Sequence, residues 1–526
     1  MSGAVIRRSV LVSLILGTTL LGRVEVSFAQ DSPIYIRSIQ FERENVFPDS
    51  AAEHSGLKRA ANRLHVVTRE EVFRRELAFT EGDTLDTELV EDAERQLRGM
   101  SFVYHADSRI EVTGDSADIY FTTQDAWTLA PGYIIQSGGG LTHYGLSLSE
   151  DNLLGKGKMV YGEVTWQTDL TGPSWLFSFD DPQVFGSQFY LTGAYSTGPL
   201  GYGWGVSTGK PFLSPDDTWS YGGGVYSADV EERLFNNGIE VSRVGQQSSG
   251  FSVDATRAFG KRFKKKKVGF YYDYYELLFS DLGAGITNSP LPDDEIAHTI
   301  AVSGSIERTT YAETERINKF GRTEDIKSGR KTSVRLGRSL PASKGVDRWT
   351  INASHRERFM IGGHNFVQAN VTFSTLFDRD TILSIDGRWY FNKVSWVTLA
   401  FNTQFDYAWD LLETNQFLLG ADNGLRGYRA RQFNGDKRFV ANAEARFFLP
   451  VQILTLGIGA VGFVDTGTAW QRTRPVDFSE LNYSTGVGLR LHYTQMAGGP
   501  VFRADIGWPI GQAGGPQLSL GFGQYF

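Results

Sequence analysis

The sequence predicts a mainly β fold, because glycine and aromatic residues are abundant and no long apolar segment follows the N-terminus. The 526 residues include 59 glycines and are 13% aromatic, which argues against disorder. Mean hydropathy is −0.26, and no stretch of about 20 apolar residues, the length of a membrane-spanning helix, lies beyond the N-terminal region. A helical membrane protein is therefore excluded, which leaves a soluble all-β protein or a membrane β-barrel.

The first 29 residues predict a signal peptide. Arg7 and Arg8 precede an apolar run, Val10–Leu21, which is too short and too interrupted for a membrane anchor. Ser27-Phe28-Ala29 then offers a small-x-small cleavage site, so the mature chain is expected to be exported and to begin at Gln30. The chain has no cysteine, which excludes disulfides, thiolate metal sites and cysteine nucleophiles.

Residues 30–127 predict a small acidic α+β domain. Residues 31–127 carry 20 acidic and 11 basic side chains, so nucleic acid is not expected as a partner. The residue patterns predict strand, helix, helix, strand and strand, in that order, at Ile34–Phe41, Thr68–Leu77, Asp86–Gly99, Ser108–Val112 and Ala117–Thr123. Thr68 and Glu71 form the capping box expected to open the first helix. The segment 47–64 has no place in this pattern.

Residues 128–526 predict a long series of antiparallel strands with one apolar face. In residues 439–449, for example, apolar side chains alternate with Asn442, Glu444 and Arg446. A lipid-facing barrel strand requires such alternation, and a soluble sandwich also shows it, so the pattern favours the membrane barrel but leaves both open. At roughly 25 residues per strand and connection, the region holds about 16 strands, although counting segments gives about 16 to 20 because residues 298–373 divide poorly.

Several motifs in this region then occur in a fixed order. They are Asp151-Asn-Leu-Leu-Gly-Lys-Gly157, Phe179-Asp-Asp-Pro182, Gly424-Leu-Arg-Gly-Tyr428, Gly462-Phe-Val-Asp-Thr-Gly-Thr-Ala-Trp470 and a final alternating segment that runs to Phe526. Together they resemble the BamA/TamA superfamily of outer-membrane assembly and translocation barrels, the bacterial surface antigen family. The order of elements in residues 30–127, with Gly82-Asp83 between the helices, resembles a single POTRA domain.

The resemblance implies an outer-membrane β-barrel at residues 128–526, with the POTRA-like domain at residues 30–127 in the periplasm. Such a protein assists the insertion of β-barrel proteins into the outer membrane or the passage of polypeptide across it. The implied partners are outer-membrane lipids and unfolded outer-membrane or secreted polypeptides, with periplasmic or lipoprotein accessory proteins as further candidates. No cofactor is implied.

The resemblance also assigns residues. In the family the motif arginine projects into the lumen and pairs with the strand aspartate, which implies a pair of Arg426 and Asp465. A bidentate carboxylate would fix the loop and compensate the buried guanidinium; the alternative is a surface-loop arginine and a solvated lumen aspartate. The residues assigned to this loop lock are Gly424, Arg426, Gly427, Tyr428, Asp465 and Gly467. Those assigned to a C-terminal targeting signal are Phe522, Gly523 and Phe526.

Two other classes of function remain as alternatives, a passive outer-membrane pore and an outer-membrane barrel enzyme. A passive pore would have no use for the POTRA-like domain or for the arginine loop. An enzyme is not expected: Gly205-Val-Ser-Thr-Gly209 fits a nucleophile-elbow pattern but lies in glycine-rich strand sequence. Asp465-Thr-Gly467 resembles the aspartic-protease triplet, which needs two copies, and the eight histidines show no ligand spacing, so no metal site is expected.

Overall fold

The computed structural model of the protein describes most of the chain after the predicted signal peptide. The described residues are 33–213, 217–261, 263–282, 291–317, 323–344, 346–377, 379–412, 414–453, 456–493, 501–512 and 514–526. The predicted signal peptide at residues 1–29 lies outside them. None of the helices among the described residues is both long and apolar enough to span a membrane.

The N-terminal part, called the head here and covering residues 33–125, combines a three-stranded sheet with four short helices. Its elements are β1 (Tyr35–Glu44), α1 (Asp49–Glu53), α2 (Gly56–Leu64), α3 (Glu70–Arg74), α4 (Thr87–Arg98), β2 (Val103–Thr113) and β3 (Ser116–Asp125). The sheet order is β1-β3-β2, with β1 parallel and β2 antiparallel to β3. Phe73 of α3, Leu97 of α4 and Phe121 of β3 are fully buried in one core.

The helix boundaries in the head show which sequence signals decided the structure. Asp86 caps α4, because its carboxylate accepts the backbone N–H groups of Glu88 and Leu89. The capping box expected at Thr68 is wrong: Arg69 is the N-cap residue of α3, and it makes no side-chain cap. Thr68 instead donates its N–H and its hydroxyl to the buried Asp125 carboxylate, at 2.7 and 2.8 Å. These bonds are charge-assisted and direct Thr68 towards β3 instead of towards α3.

The segment 47–64, to which the sequence assigned no structure, forms α1 and α2. Ser55 caps α2. Asn62 ties this helix back to the start of the segment: its amide donates to the carbonyl of Phe47 at 2.9 Å and accepts the Phe47 N–H at 3.1 Å. The segment is therefore a folded part of the head.

The remainder of the described chain forms a closed barrel of 20 antiparallel strands. The strands are β4 (Leu129–Gly138), β5 (Leu141–Glu150), β6 (Met159–Gln167), β7 (Pro173–Asp181), β8 (Tyr190–Gly198), β9 (Gly201–Lys210), β10 (Trp219–Asn236), β11 (Ile239–Lys261), β12 (Lys264–Asp281), β13 (Glu295–Glu315), β14 (Thr323–Ser339), β15 (Trp349–Ile361), β16 (Asn365–Thr375), β17 (Thr381–Phe391), β18 (Val397–Trp409), β21 (Lys437–Ile453), β22 (Leu456–Trp470), β23 (Asn482–Tyr493), β24 (Val501–Ile510) and β25 (Gln517–Phe522). Two short strands, β19 (Phe417–Leu419) and β20 (Phe433–Gly435), pair with each other in a separate sheet that is not part of the barrel wall.

The mainly β prediction is confirmed, whereas the expected number of about 16 strands is wrong. The connections are shorter than a uniform spacing assumes: β4 and β5 are joined by Gly139-Gly140, and β10 and β11 by Asn237-Gly238. All four of these residues have positive φ, as the tightest hairpins require. An even number of strands places the start of β4 and the end of β25 at the same rim, which is also the rim that carries the head.

Candidate functional site

The long connection between β18 and β21 folds back into the barrel, where it brings most of the predicted loop-lock residues to the wall. Leu425, Arg426 and Tyr428 are all buried. Gly424 and Gly427 have φ of 142° and 90°, and a Cβ at Gly427 would lie about 3.1 Å from the backbone of Gly507. Glycine is therefore required at position 427 both for the backbone conformation and for the close approach of the loop to the wall.

Arg426 and Asp465 form a bidentate ion pair in which both side chains are fully buried. The guanidinium Nε and one terminal nitrogen each donate to a carboxylate oxygen at 2.8 Å, and the Arg426 backbone N–H donates to the same carboxylate at 3.2 Å. Asn442 of β21 donates to Asp465 and to the carbonyl of Gly424, each at 2.8 Å. The loop is thus joined to the wall by backbone and side chain together.

Two further carboxylates share the same cation. The remaining terminal nitrogen of Arg426 donates to Glu444 at 2.7 Å and to Asp505 at 3.1 Å. Arg446 and Arg490 bind these carboxylates in turn, at 2.8 Å to Glu444 and at 2.5 Å to Asp505. Three carboxylates and three guanidinium groups therefore form one buried network, and Arg503 adds a fourth cation 3.6 Å from Asp505. Because the members share partners, the loss of one is expected to affect the others.

Two aromatic rings enclose the Arg426 guanidinium. Its central carbon lies 3.5 Å from the ring centroid of Phe463 and 3.9 Å from that of Tyr525. A cation held between ring faces gains electrostatic attraction in a setting without competing water. Phe463 belongs to the F-V-D-T-G segment, but Tyr525 comes from the end of the chain.

The last residues leave the barrel wall and enter the lumen. The expectation of a closing strand that runs to Phe526 is wrong: β25 ends at Phe522, because Gly523 has φ of 82° and turns the chain inward. An oxygen of Phe526 accepts from Arg446 at 3.1 Å and from the Tyr390 hydroxyl at 3.4 Å. The role of Phe522, Gly523 and Phe526 as a targeting signal stays a prediction.

The other loop-lock residues are placed around this centre. The Tyr428 hydroxyl donates to the carbonyl of Tyr483 at 2.9 Å, and its ring packs on Phe433 with 5.5 Å between centroids. Gly467 of β22 lies where a Cβ would meet the Phe439 carbonyl oxygen at 2.6 Å. The sequence analysis missed Glu444, Asp505, Phe463 and Tyr525 as members of the centre. The strand alternation could have shown that Glu444 and Asp505 face the lumen, but not that they meet.

At the far rim, Asp169 fastens the outer part of the long loop. This aspartate, in the connection of β6 and β7, accepts from Arg431 of the loop at 2.7 Å and from Arg233 of β10 at 2.9 Å. Burial alone would raise the pKa of Asp169, but hydrogen bonds from Gln167, Arg431 and Arg233 outweigh it and lower the pKa to about 2.

The barrel closes at a seam between β25 and β4 that has little regular pairing. Among the described residues, β25 and β4 share one register pair, Leu520 with Ser137, whereas β24 and β25 share six. The inward turn at Gly523 removes the residues that would otherwise extend β25 along β4. The folded loop supports the seam from inside, since the Ala430 N–H donates to the carbonyl of Gly139 at 2.9 Å.

Two turns on the head-side rim hold the head against the barrel. Asn152 donates to the Thr68 hydroxyl at 2.7 Å and accepts the Gly157 N–H at 2.7 Å. Gln183 donates to the carbonyl of Val72 at 3.0 Å. Leu154 and Phe185 occupy equivalent positions in the two turns, with φ of 58° and 51°, a conformation that costs energy for bulky residues. The turn within the first motif and the turn that directly follows the second therefore contact the head in the same way.

Comparison with known proteins bears on the half of the barrel that contains the loop lock. The family model described as the Omp85 superfamily domain matches residues 357–526, from within β15 to the end of the chain. Residues 357–526 are therefore similar to the Omp85 superfamily domain. The match confirms the resemblance to the BamA/TamA barrels and extends it over residues 357–414, which the motifs did not cover. No curated protein matches the chain in a sequence comparison.

Solved structures that the chain is similar to include BamA and CdiB proteins. BamA from Haemophilus ducreyi lacking POTRA domains 1–3 is 14% identical with a TM-score of 0.44, over 93% of this chain and 85% of that one. CdiB from Acinetobacter baumannii is 13% identical with a TM-score of 0.45, over 94% and 90%. CdiB from Escherichia coli is 11% identical with a TM-score of 0.47, over 94% and 77%.

The two motifs that resemble enzyme signatures lie in the barrel strands. Ser207 lies within strand β9, where register partners flank it on both sides, rather than at a strand-to-helix turn. Asp465 is the bidentate partner of Arg426 described above.

Proposed function

We propose that the protein is an outer-membrane barrel that inserts β-barrel proteins into the membrane or passes polypeptide across it, with the head in the periplasm. The Omp85 domain at residues 357–526 supports this class of function. The observation that carries it is the seam, where one register pair joins β25 to β4. The facing edges of both strands therefore keep backbone donors and acceptors available for pairing with another extended chain.

The folded loop supports the same proposal. A passive pore works best with an open lumen, whereas here the loop and the end of the chain occupy part of the lumen and bind at Arg426. The proposed function requires no catalytic residue. The edge strands β1 and β2 of the head would be available to bind an extended polypeptide at the mouth of the barrel.

The test is a disulfide across the seam, which the absence of native cysteine makes unambiguous. Ser137→Cys with Leu520→Cys would join β4 to β25, and Ile506→Cys with Leu518→Cys would join two strands that are already well paired. Proteoliposomes that contain each oxidised variant are given a urea-unfolded eight-stranded barrel protein. Insertion is read from heat-modifiable migration, and passage into the vesicle from protease protection of an unfolded secreted polypeptide.

We expect the seam disulfide to block one of these two activities, reduction to restore it, and the control disulfide to leave it unchanged. Which activity responds would decide between insertion and translocation. If the wild-type protein supports neither and only allows small solutes to leave the vesicle, the passive pore is the better description and the proposal is wrong.

A further inference from the structure

The lysine run at the start of β12 divides between the two faces of the barrel wall. Lys265 and Lys267 face the lumen, where the Lys267 ammonium lies 3.5 Å from Glu307 of β13. Lys264 and Lys266 face outward, in line with Val268 and Phe270, which are 41% and 61% exposed. Because side chains alternate along a strand, half of this charge is directed to the medium around the barrel.

Three neighbouring strands add cations to the same outer surface. Lys264 is the register partner of Arg308 on β13, and Arg308 is the register partner of Arg330 on β14. Arg257 of β11 stacks over the Trp219 ring at 5.4 Å. These residues, together with Lys266, are called the outer basic patch, defined as Arg257, Lys264, Lys266, Arg308 and Arg330.

Within the described part of the chain, no ion pair neutralises the patch. The nearest carboxylate in register is Glu357 of β15, opposite Arg330, and its closest basic partner is His355 at 3.9 Å. Like charges placed directly opposite each other on adjacent strands repel. The row Lys264, Arg308 and Arg330 therefore favours an anion supplied from outside the protein.

The patch lies where the apolar outer surface ends on the head side. Next to it along the strands are Phe270, Ile306 and Val334, all well exposed on the outer face. On β14, eight residues separate Arg330 from Arg338, which stacks on Trp349 at the other end of the apolar stretch. That span is about 27 Å along the strand, which at the usual strand tilt of about 35–45° corresponds to about 19–22 Å of height, somewhat less than the roughly 25 Å apolar band of a membrane barrel.

The patch is also local to one side of the barrel. On β17 and β21 the outward residues near the same rim are Trp389 and Leu449, which are apolar. A general preference of this rim for cations would have placed them on those strands too. The positive charge of the outer surface near this rim is therefore concentrated on strands β11–β14.

We propose that the outer basic patch binds the phosphodiester headgroups of anionic glycerophospholipids in the leaflet on the head side. Arg and Lys can keep their stems on the apolar wall while their charged ends reach the headgroups, and phosphate oxygens suit both cations. The inference rests on the membrane placement in the proposed function, but not on insertion or translocation activity.

The test compares two lysine pairs from the same run. Full-length protein is placed in phosphatidylcholine nanodiscs that contain spin-labelled phosphatidylglycerol or spin-labelled phosphatidylcholine, and the fraction of motionally restricted lipid is measured for each. The variant pair is Lys264→Gln with Lys266→Gln, and the matched control is Lys265→Gln with Lys267→Gln. Both remove two charges from β12, and heat-modifiable migration shows that each barrel is folded.

We expect wild type and control to prefer phosphatidylglycerol, and the preference to fall at least about threefold in the outward variant. Adding Arg308→Gln and Arg330→Gln should abolish it. A wild-type protein without preference, or equal losses in both pairs, would overturn the proposal. So would a preference for lipid A over phosphatidylglycerol in a competition between the two, because the site would then belong to a different lipid.

Discussion

The guanidinium carbon of Arg426 lies 3.9 Å from the ring centroid of Tyr525, so the long loop and the end of the chain meet on one cation inside the barrel. Tyr525 stands three residues beyond Phe522, where β25 ends. The contact therefore connects the loop lock to the strand that forms one side of the seam. Changes at Arg426 are expected to be felt at the seam as well as in the loop.

The first prediction concerns the buried pair. Arg426→Ala and Asp465→Ala should each destabilise the folded loop by about 3–5 kcal/mol: the first leaves the buried Asp465 carboxylate without a cation, and the second leaves two guanidinium nitrogens of Arg426 without an acceptor, although Glu444 and Asp505 still bind the third. The two changes should be strongly non-additive in a double-mutant cycle measured by urea unfolding.

The control for this cycle is Arg429→Ala, an exposed arginine of the same loop, which should have little effect. Additive losses from Arg426→Ala and Asp465→Ala would show that the two residues do not act through one contact.

The second prediction separates the ring of Tyr525 from its hydroxyl. Tyr525→Phe keeps an aromatic face over Arg426 and should retain most of the loop's protection from protease. Tyr525→Ala removes the face and should increase cleavage of the loop. If both variants behave alike, the stacking does not hold the loop.

The third prediction concerns Phe526 as part of the targeting signal. A chain without Phe526 should reach the outer membrane in smaller amounts, and it also loses the contacts to Arg446 and Tyr390. Quantitative blotting of outer-membrane fractions measures the first effect, and heat-modifiable migration of the purified protein measures the second. Unchanged outer-membrane levels would count against a signal role.

The fourth prediction uses the acid titration of Asp169. Its pKa is about 2 in the folded protein, below the ordinary value of 3.8, so its stabilising effect is complete above the ordinary value and disappears as the pH falls through about 2. The difference in Tm between wild type and Asp169→Asn should therefore be present near pH 5 and shrink towards pH 2. Asp347→Asn, at an exposed carboxylate, is the control.

A constant difference over this range would mean that Asp169 acts through its shape or hydrogen bonds to neutral groups. The measurement needs no client protein, so it tests the outer anchor of the loop independently of function.

The fifth prediction concerns the junction of head and barrel. Asn152→Ala should weaken the junction by about 1–3 kcal/mol, because it removes the hydrogen bond to the Thr68 hydroxyl and leaves the buried Gly157 N–H without an acceptor. Amide hydrogen exchange at Gly157 should accelerate, as should proteolysis between residues 125 and 129. Gln40→Ala, on the exposed face of β1, should change neither.

Motifs allowed the sequence to predict the loop lock because Arg426 and Asp465 each lie in a recognisable segment. Tyr525 could not be predicted, since the alternation from Leu518 to Phe522 suggests a strand that continues to the last residue. The turn at Gly523 is stabilised by contacts that the last residues make in the lumen, and the residues that make these contacts are distant in sequence. Arg446 and Tyr390 are such partners.

The strand number was hard to predict for a related reason. Alternation identifies a strand when one face is apolar, but around residues 298–373 the outer face itself carries charge at Arg308, Arg330 and Glu357. These residues lie towards the head-side end of their strands, where the proposed membrane placement would put lipid headgroups and water instead of hydrocarbon. The boundaries of the four strands β13–β16 therefore could not be recognised from the alternation of polar and apolar residues.

The repeated turns at Asn152 and Gln183 have a mechanical consequence. A body attached through one flexible link can swivel, and one attached at two points can still rock about the line that joins them. The head has both turns and, in addition, the short chain passage from Asp125 to Leu129, which gives it three separate points of support. It is mounted like a tripod, so the distance from its sheet to the first strand of the barrel is set by the architecture rather than by diffusion of a tethered arm.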